Sequence, residues 1–299
     1  MWCQAPKLDI CYTKLMQSYD EWIKEGILPG PGETEEQYRE RAHYCLNLRN
    51  SFKDLVDTGF QDQVLEPVTE EGLNRVERLY GIRSTWIPFF FSNYRLPFWQ
   101  GGCAWIFQQT VNSPVSAFFQ LRQVFRKQNT YLGIYPRDEL VAHELCHVGR
   151  MAYEEPRYEE LLAYRTSKSP FRRYWGPLFT TPAQSGIFAL LLLLILMADL
   201  ITLFFQPDLY GSIQWMKVLP LVWIGWLIFD LMVRQRIFKK CLHILPEKIL
   251  YRLTDREIDL FSKMTLDEIL EYGKKEGSLR WKVLYQSMTG GINSETKLS

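Results

Sequence analysis

The stretch DELVAHELCHVGR places two of the chain's four histidines four residues apart, with a glutamate directly after the first. On a helix, residues four apart lie on one face, about 6 Å apart along the axis, so His143 and His147 could bind one metal ion. Glu144 is rotated by about 100° from His143, which lets it hold a metal-bound water without binding the ion itself. The HExxH pattern therefore predicts a catalytic Zn²⁺ site with Glu144 as the general base.

A catalytic zinc site needs a third protein ligand and one open position for water. The metzincin arrangement of three histidines is excluded, because Tyr153 stands where its third histidine would be and Arg150 where its glycine turn would be. The following stretch EEPRYEELLAY offers glutamates on a second predicted helix. Glu160 shares a face with small side chains that let the two helices approach, so it is the predicted third ligand in preference to Glu159.

HExxH followed by ExxA at Glu160 resembles the gluzincin zinc metallopeptidases, whose membrane-bound members include CAAX-processing and heat-shock-type proteases with cytoplasmic active sites. The resemblance implies a zincin-like domain in which Zn²⁺ is held by His143, His147 and Glu160. In that family an aspartate after ExxA supports a zinc-binding histidine, whereas this chain has Tyr164 there. The resemblance also implies that a strand beside the HExxH helix pairs with the substrate, for which FFQLRQVF and TYLGIY are the candidates.

Four further side chains could complete such a site. The oxyanion that develops during peptide hydrolysis needs a hydrogen-bond donor, and Tyr153, Tyr164 and His243 are candidates. Glu139 lies one turn before His143 on nearly the same face and could accept a hydrogen bond from a histidine N–H. For each of these residues, an ordinary structural role is the favoured interpretation.

Composition argues against nucleic acid as a partner and against two kinds of cysteine site. The chain has 299 residues, of which 47% are hydrophobic, and a formal net charge of +1. Without a strongly basic segment, nucleic acid is not an expected partner. The six cysteines have no CxxC spacing, which argues against a disulfide framework and against a thiolate zinc site.

Two long apolar stretches, Ile187 to Phe205 and Ile213 to Val233, predict a transmembrane helical hairpin in the lipid bilayer. Lys and Arg cluster before the first stretch and after the second, so both termini are expected on the cytoplasmic side. Asp199 and Lys217 lie at similar distances from the link between the stretches and are predicted to form an ion pair. A buried hairpin of a soluble protein is the alternative.

The predicted fold class is α+β and mostly helical, in three parts. Residues 1–185 form a cytoplasmic zincin-like domain with a small sheet, residues 186–234 the transmembrane hairpin, and residues 235–299 a cytoplasmic helical segment. Capping boxes that begin at Thr34, Thr254 and Thr265 predict three helix starts, and another helix is predicted over residues 70–80.

The predicted function is a membrane-anchored zinc endopeptidase that acts on a peptide or protein substrate at the cytoplasmic side. The alternative is a membrane-anchored zinc-binding protein whose structural or inactive site serves as an interaction module. An intramembrane protease is disfavoured, because Arg137, Asp138 and Glu139 would make insertion of the HExxH helix costly. The identity of the substrate and the oligomeric state are left open by the sequence.

Overall fold

A computed structural model describes residues 19–56, 58–61, 63–111 and 113–295 of the chain. Its strands are β1 (Phe89–Phe91), β2 (Gly102–Phe107), β3 (Ser116–Leu121), β4 (Thr130–Tyr131) and β5 (Tyr135–Pro136). Its helices are α1 (Glu35–Leu55), α2 (Thr58–Gln61), α3 (Glu70–Tyr80), α4 (Arg137–Gly149), α5 (Pro156–Tyr164), α6 (Pro170–Trp175), α7 (Pro182–Phe204), α8 (Tyr210–Ile213), α9 (Val218–Leu242), α10 (Glu247–Leu250), α11 (Asp255–Phe261), α12 (Leu266–Glu276) and α13 (Leu279–Glu295). The fold is mostly helical with a small sheet, as predicted.

The predicted capping boxes are confirmed. Thr34, Thr254 and Thr265 each accept a hydrogen bond from the backbone of the residue three positions later, whose side chain accepts one in return. These reciprocal bonds satisfy backbone donors that a helix start leaves without partners. The predicted helix over residues 70–80 is also confirmed as α3.

The aromatic region between the N-terminal helices and α4 forms two small sheets. In the three-stranded sheet, β3 lies in the centre, parallel to β1 and antiparallel to β2. Strands β4 and β5 form a separate hairpin that leads directly into α4. Among the described strands, β2 therefore has one edge without a partner strand.

The HExxH helix α4 lies at the centre of the packing, against α3, α5 and β2. Gly149, its last residue, is in close contact with the C-terminal part of the chain, because a Cβ there would lie 2.2 Å from the Tyr251 hydroxyl oxygen. Tyr251 in turn donates a hydrogen bond of 2.6 Å to the carbonyl oxygen of Cys146 and stacks on Tyr80. One hydrophobic core thus includes residues from Tyr19 to Met288.

Two helices in this structure are long and apolar enough to cross a membrane, α7 and the segment that ends with α9. Few of their side chains are buried, unlike those of a soluble core helix. The second long helix begins at Val218, so Lys217 lies just before it and not inside it, although the predicted stretch began at Ile213. The predicted ion pair is confirmed, with 3.1 Å between Lys217 Nζ and Asp199 Oδ1.

The predicted domain boundaries fall inside continuous helices. The boundary at 185 lies in the first turn of α7, and the boundary at 234 lies within α9. The last two turns of α9 are buried against the globular part through Arg234, Phe238 and Cys241. The hairpin is therefore a direct extension of the globular core at its C-terminal helix.

A buried ion pair holds the C-terminal helices together. Glu257, at the start of α11, accepts hydrogen bonds of 2.7 and 2.8 Å from Arg280 and one of 2.7 Å from the indole of Trp281. Burial raises the pKa of Glu257, but the paired Arg280 outweighs burial and the net pKa is lowered. Both charged side chains are almost fully buried, so each needs the other to offset the cost of burying its charge.

Candidate metal centre

The apolar face of α4 fixes the direction of its polar side chains. Val141, Leu145 and Val148 are buried in the core. Because residues three and four apart share a helix face, anchoring these side chains turns His143 and His147 toward the opposite side. Helical periodicity alone thus puts both histidines on the same face of α4.

Three side chains bring donor atoms to one point. The Nε2 atoms of His143 and His147 lie 3.2 Å apart. The two carboxylate oxygens of Glu160 lie 3.6 Å from these atoms, Oε2 from His143 and Oε1 from His147. Ligands on a tetrahedral ion with bonds of about 2.0–2.1 Å are about 3.3–3.4 Å apart. One donor atom from each of the three residues lies within 4.8 Å of the others, so together they could hold a metal ion and leave a fourth position for water or substrate.

Helix α5 delivers Glu160 by running back along α4. Arg150 contacts Glu159 near the turn, whereas His143 contacts Tyr164 at the far end of α5, so the two helices run in opposite directions. Pro156 stands at the first position of α5, where its missing N–H costs no helical hydrogen bond. The turn between the helices includes Glu154 with a φ of 51°.

Glu159 supports a histidine. It accepts a hydrogen bond of 3.0 Å from His147 Nδ1, so the opposite nitrogen Nε2 keeps its lone pair for a metal. The second oxygen of Glu159 accepts a bond of 2.7 Å from Arg150, whose side chain is fully buried. Arg150 also donates to the backbone carbonyls of Tyr251 and Leu253. A chain of contacts therefore connects the C-terminal part of the core to the orientation of His147.

The charges around the histidines favour a cation. Burial lowers the pKa of His147, but the hydrogen bond to Glu159 and the charges of Glu160, Glu159 and Glu144 outweigh it and raise the pKa to about 10. Burial, and then the charge of His147, lower the pKa of His143. Without the proton on His147, three carboxylates against the guanidinium of Arg150 would leave a net charge of −2 next to two neutral imidazoles. A divalent ion would balance that charge and displace the proton from His147.

Glu144 points from α4 toward strand β2. Its Oε2 accepts a hydrogen bond of 2.7 Å from the backbone N–H of Ala104. The chain can come this close to α4 because Gly101, directly before β2, has no side chain, and a Cβ there would lie 2.8 Å from the Leu140 side chain of α4. Burial raises the pKa of Glu144, and the charge of His147 and the Ala104 N–H reverse only part of that rise. Glu144 is thus a fixed carboxylate with increased basicity.

A cavity of about 520 Å³ opens above these groups. It is lined by His143, Glu144, His147 and Glu160, and also by Tyr164. The Tyr164 ring packs edge-on against His143, with 4.6 Å between ring centroids. Burial raises the pKa of Tyr164, so its hydroxyl stays protonated and can donate a hydrogen bond.

The structure does not place Glu139 beside a histidine nitrogen. Glu139 accepts bonds of 2.7 and 3.0 Å from Arg172 and also bonds from Ser167 and the Lys168 backbone. Burial raises its pKa, but Arg172 and the other donors outweigh burial and lower it. The candidate role of Glu139 as the support of a metal ligand is therefore not fulfilled: Arg172 binds the Glu139 carboxylate, and Glu159 is the carboxylate that contacts His147.

Two of the predicted oxyanion donors lie away from the cavity. The Tyr153 hydroxyl donates to the Arg252 carbonyl oxygen at 3.1 Å, and its ring packs on Arg150. His243 is exposed just after the last turn of α9. Neither residue lines the cavity in the described part of the chain, so Tyr164 is the one of the three that the fold brings to the site.

One of the two predicted substrate strands is also corrected. FFQLRQVF contains β3, which has a strand on each side and therefore no free edge. TYLGIY forms the separate β4–β5 hairpin, whose Tyr135 lines the cavity, so this prediction is not contradicted. The strand whose edge meets the HExxH helix is β2, and its Ala104 N–H already points to Glu144. Strand order depends on long-range pairing, which local sequence patterns do not encode.

Comparisons of the chain with protein-family models, with curated proteins and with solved structures give no significant match.

Proposed function

We propose that this protein is a membrane-anchored zinc endopeptidase. The observation that carries the proposal is the meeting of His143, His147 and Glu160 donor atoms at tetrahedral spacing beside the buried carboxylate of Glu144. A structural zinc site is normally closed by four protein ligands, whereas three ligands and an open cavity are typical of a catalytic one. The two-histidine, one-glutamate set is one that peptide-cleaving zinc enzymes use.

Zinc bound by these three residues would supply a Lewis acid that polarises a peptide carbonyl and lowers the pKa of water to about 7. Glu144 is placed to accept the proton of the attacking water and to return it to the leaving amine. The raised pKa of Glu144 helps it to take that proton near neutral pH. Tyr164 lines the same cavity and would donate a hydrogen bond to the developing oxyanion.

The free edge of β2 supports a peptide as the substrate. In an antiparallel pair, every second residue directs its backbone N–H and C=O toward the partner strand. The Ala104 N–H points away from β3, so the backbone groups of Gly102, Ala104 and Ile106 lie on the edge of β2 that has no partner strand. Gly102 and Ala104 line the cavity next to the donor set. An extended substrate could add to this edge as a further strand, and its scissile carbonyl would then lie next to the histidines.

The two long apolar helices support a membrane anchor. Their apolar side chains are mostly exposed, which in water would be a large unfavourable apolar surface. Basic residues at their globular end, among them Arg173, Lys239 and Lys240, favour the cytoplasmic side for the candidate metal centre.

The replacement Glu144→Gln tests the proposal. It removes the proton acceptor and leaves all three proposed ligands in place, so zinc content should stay at the wild-type level while cleavage of a generic protein substrate falls by at least about 10³-fold. Both are measured on the detergent-purified full chain. Cleavage at the wild-type rate by Glu144→Gln would refute the catalytic role and leave the interaction-module alternative.

A further inference from the structure

A second cavity lies where the long helices leave the globular part. It has a volume of about 230 Å³ and lies between α5, α6 and α9. Leu161, Phe238 and Leu242 form its apolar wall. On one side Gln235 donates a hydrogen bond of 2.7 Å to the Tyr174 carbonyl oxygen, which connects α9 to α6. We refer to this feature as the basal cavity.

Three cations line the basal cavity, Arg165, Arg173 and Lys239, and no carboxylate lines it in the described part of the chain. Arg165 forms an ion pair with Glu247, yet its buried Nε–H has no acceptor among the described groups. Arg173 and Lys239 are exposed and have no carboxylate partner within the described ranges. The cavity therefore combines an excess of positive charge with an apolar wall.

The basal cavity also lies at the depth of lipid headgroups, if the proposed membrane anchor holds. Gln235 and Lys239 are two and six residues beyond Val233, the last residue of the second apolar stretch, which is about 3 and 9 Å along the helix. The headgroup layer on each side of the hydrocarbon core is about 5–7 Å thick. Tyr174 and Trp175 on α6 are partly exposed beside it, as is typical of aromatic residues at a membrane interface.

We propose that the basal cavity binds the phosphate headgroup of an anionic phospholipid. Arg173 and Lys239 would contact the phosphate, and the apolar wall would contact the glycerol and the first acyl carbons. Basic pockets at the cytoplasmic end of membrane helices are suited to such headgroups. Because α5 lines this cavity and also carries Glu159 and Glu160, a bound lipid would hold the ligand helix against α9.

The test uses the full chain released from detergent micelles in native mass spectrometry, titrated with phosphatidylglycerol or with phosphatidylcholine of the same acyl chains. We expect each chain to retain one phosphatidylglycerol molecule in preference to phosphatidylcholine. The double variant Arg173→Gln/Lys239→Gln should weaken its binding by about 30-fold, since it removes two contacts to the phosphate that contribute about 1 kcal/mol each.

The matched control is Arg236→Gln/Lys240→Gln, which removes the same two residue types from the neighbouring exposed face of α9 and should change binding by less than about threefold. Equal losses in the two double variants, or no preference over phosphatidylcholine, would overturn the site. Displacement of the lipid by millimolar inorganic phosphate would make it a site for free phosphate instead.

This inference depends on the membrane anchor and not on the peptidase activity, so the two can fail separately. Extraction of the wild-type chain from membranes by alkaline carbonate would overturn the hairpin and the lipid site together. A wild-type chain that resists extraction, retains phosphatidylglycerol and lacks peptide cleavage would leave the lipid site standing and overturn the endopeptidase.

Discussion

Replacing Glu159 by alanine should weaken the fold and the metal site at once. Glu159 is the carboxylate that faces Arg150, a side chain with no exposed surface, and it also holds His147 Nδ1. Removing one partner of a buried ion pair costs about 3–5 kcal/mol, because the other charge is left buried and unpaired. Since Arg150 keeps two backbone carbonyl partners, we expect the lower end, about 3 kcal/mol.

That loss corresponds to a fall in melting temperature of about 6–12 °C, at about 2–4 °C for each kcal/mol in a chain of this size. Loss of the bond to His147 should also reduce zinc affinity by about 10–100-fold, the usual effect of removing a carboxylate that orients a metal-binding histidine. Melting is followed in detergent with excess chelator, so that metal binding does not contribute to it, and zinc affinity is measured by competition with a chromophoric chelator.

The matched control is Glu160→Ala, one residue further along the same helix. Glu160 is more exposed than Glu159 and has no arginine partner in the described structure. Its removal should change the melting temperature in chelator by less than about 3 °C, while zinc affinity falls further than in Glu159→Ala. A Glu159→Ala variant that melts within about 2 °C of the wild type, or that keeps wild-type zinc affinity, would refute this account of Arg150, Glu159 and His147.

Three more predictions follow from individual contacts. Tyr164→Phe should reduce kcat of peptide cleavage by about 10²-fold with zinc content unchanged, whereas Tyr153→Phe should leave kcat near the wild-type value; similar losses in both would contradict the donor role. Asp199→Asn should impair membrane insertion less in a Lys217→Met background than alone, and equal effects in an insertion assay would remove the pairing. Because the pKa of Glu257 is lowered in the fold, the ionised carboxylate contributes fully to the free energy of unfolding above the unfolded pKa of about 4.3, and this contribution is lost as pH falls through the lower folded pKa. Glu257→Gln should therefore lower the free energy of unfolding at pH 7 and should make that free energy fall less steeply below about pH 4. Denaturant titrations in which the variant and the wild type lose stability in parallel as pH falls would contradict this.

Features that depend on neighbouring residues could be predicted from the sequence. The capping boxes at Thr34, Thr254 and Thr265 need only a hydroxyl and a carboxyl or amide three residues apart. The direction of His143 and His147 follows from helical periodicity and from the apolar residues on the opposite face.

The partner of the histidine could not be predicted in this way. The sequence favours Glu160 over Glu159 as the ligand, and no local pattern predicts that Glu159 orients His147 through the nitrogen opposite the metal site. A signal was present in two adjacent glutamates on the second helix and in Arg150, which lies three residues after His147 and is close to the same face. The carbonyls that fix Arg150 come from about a hundred residues further along the chain, beyond the reach of periodicity.

Metal analysis of the detergent-purified chain tests the central claim most directly. The account predicts close to one zinc per wild-type chain after removal of loosely bound metal, and far less than one in Glu160→Ala measured in parallel. A wild-type chain without bound zinc that cannot be loaded with it, or a Glu160→Ala chain that keeps one zinc with undiminished affinity, would contradict the proposed centre.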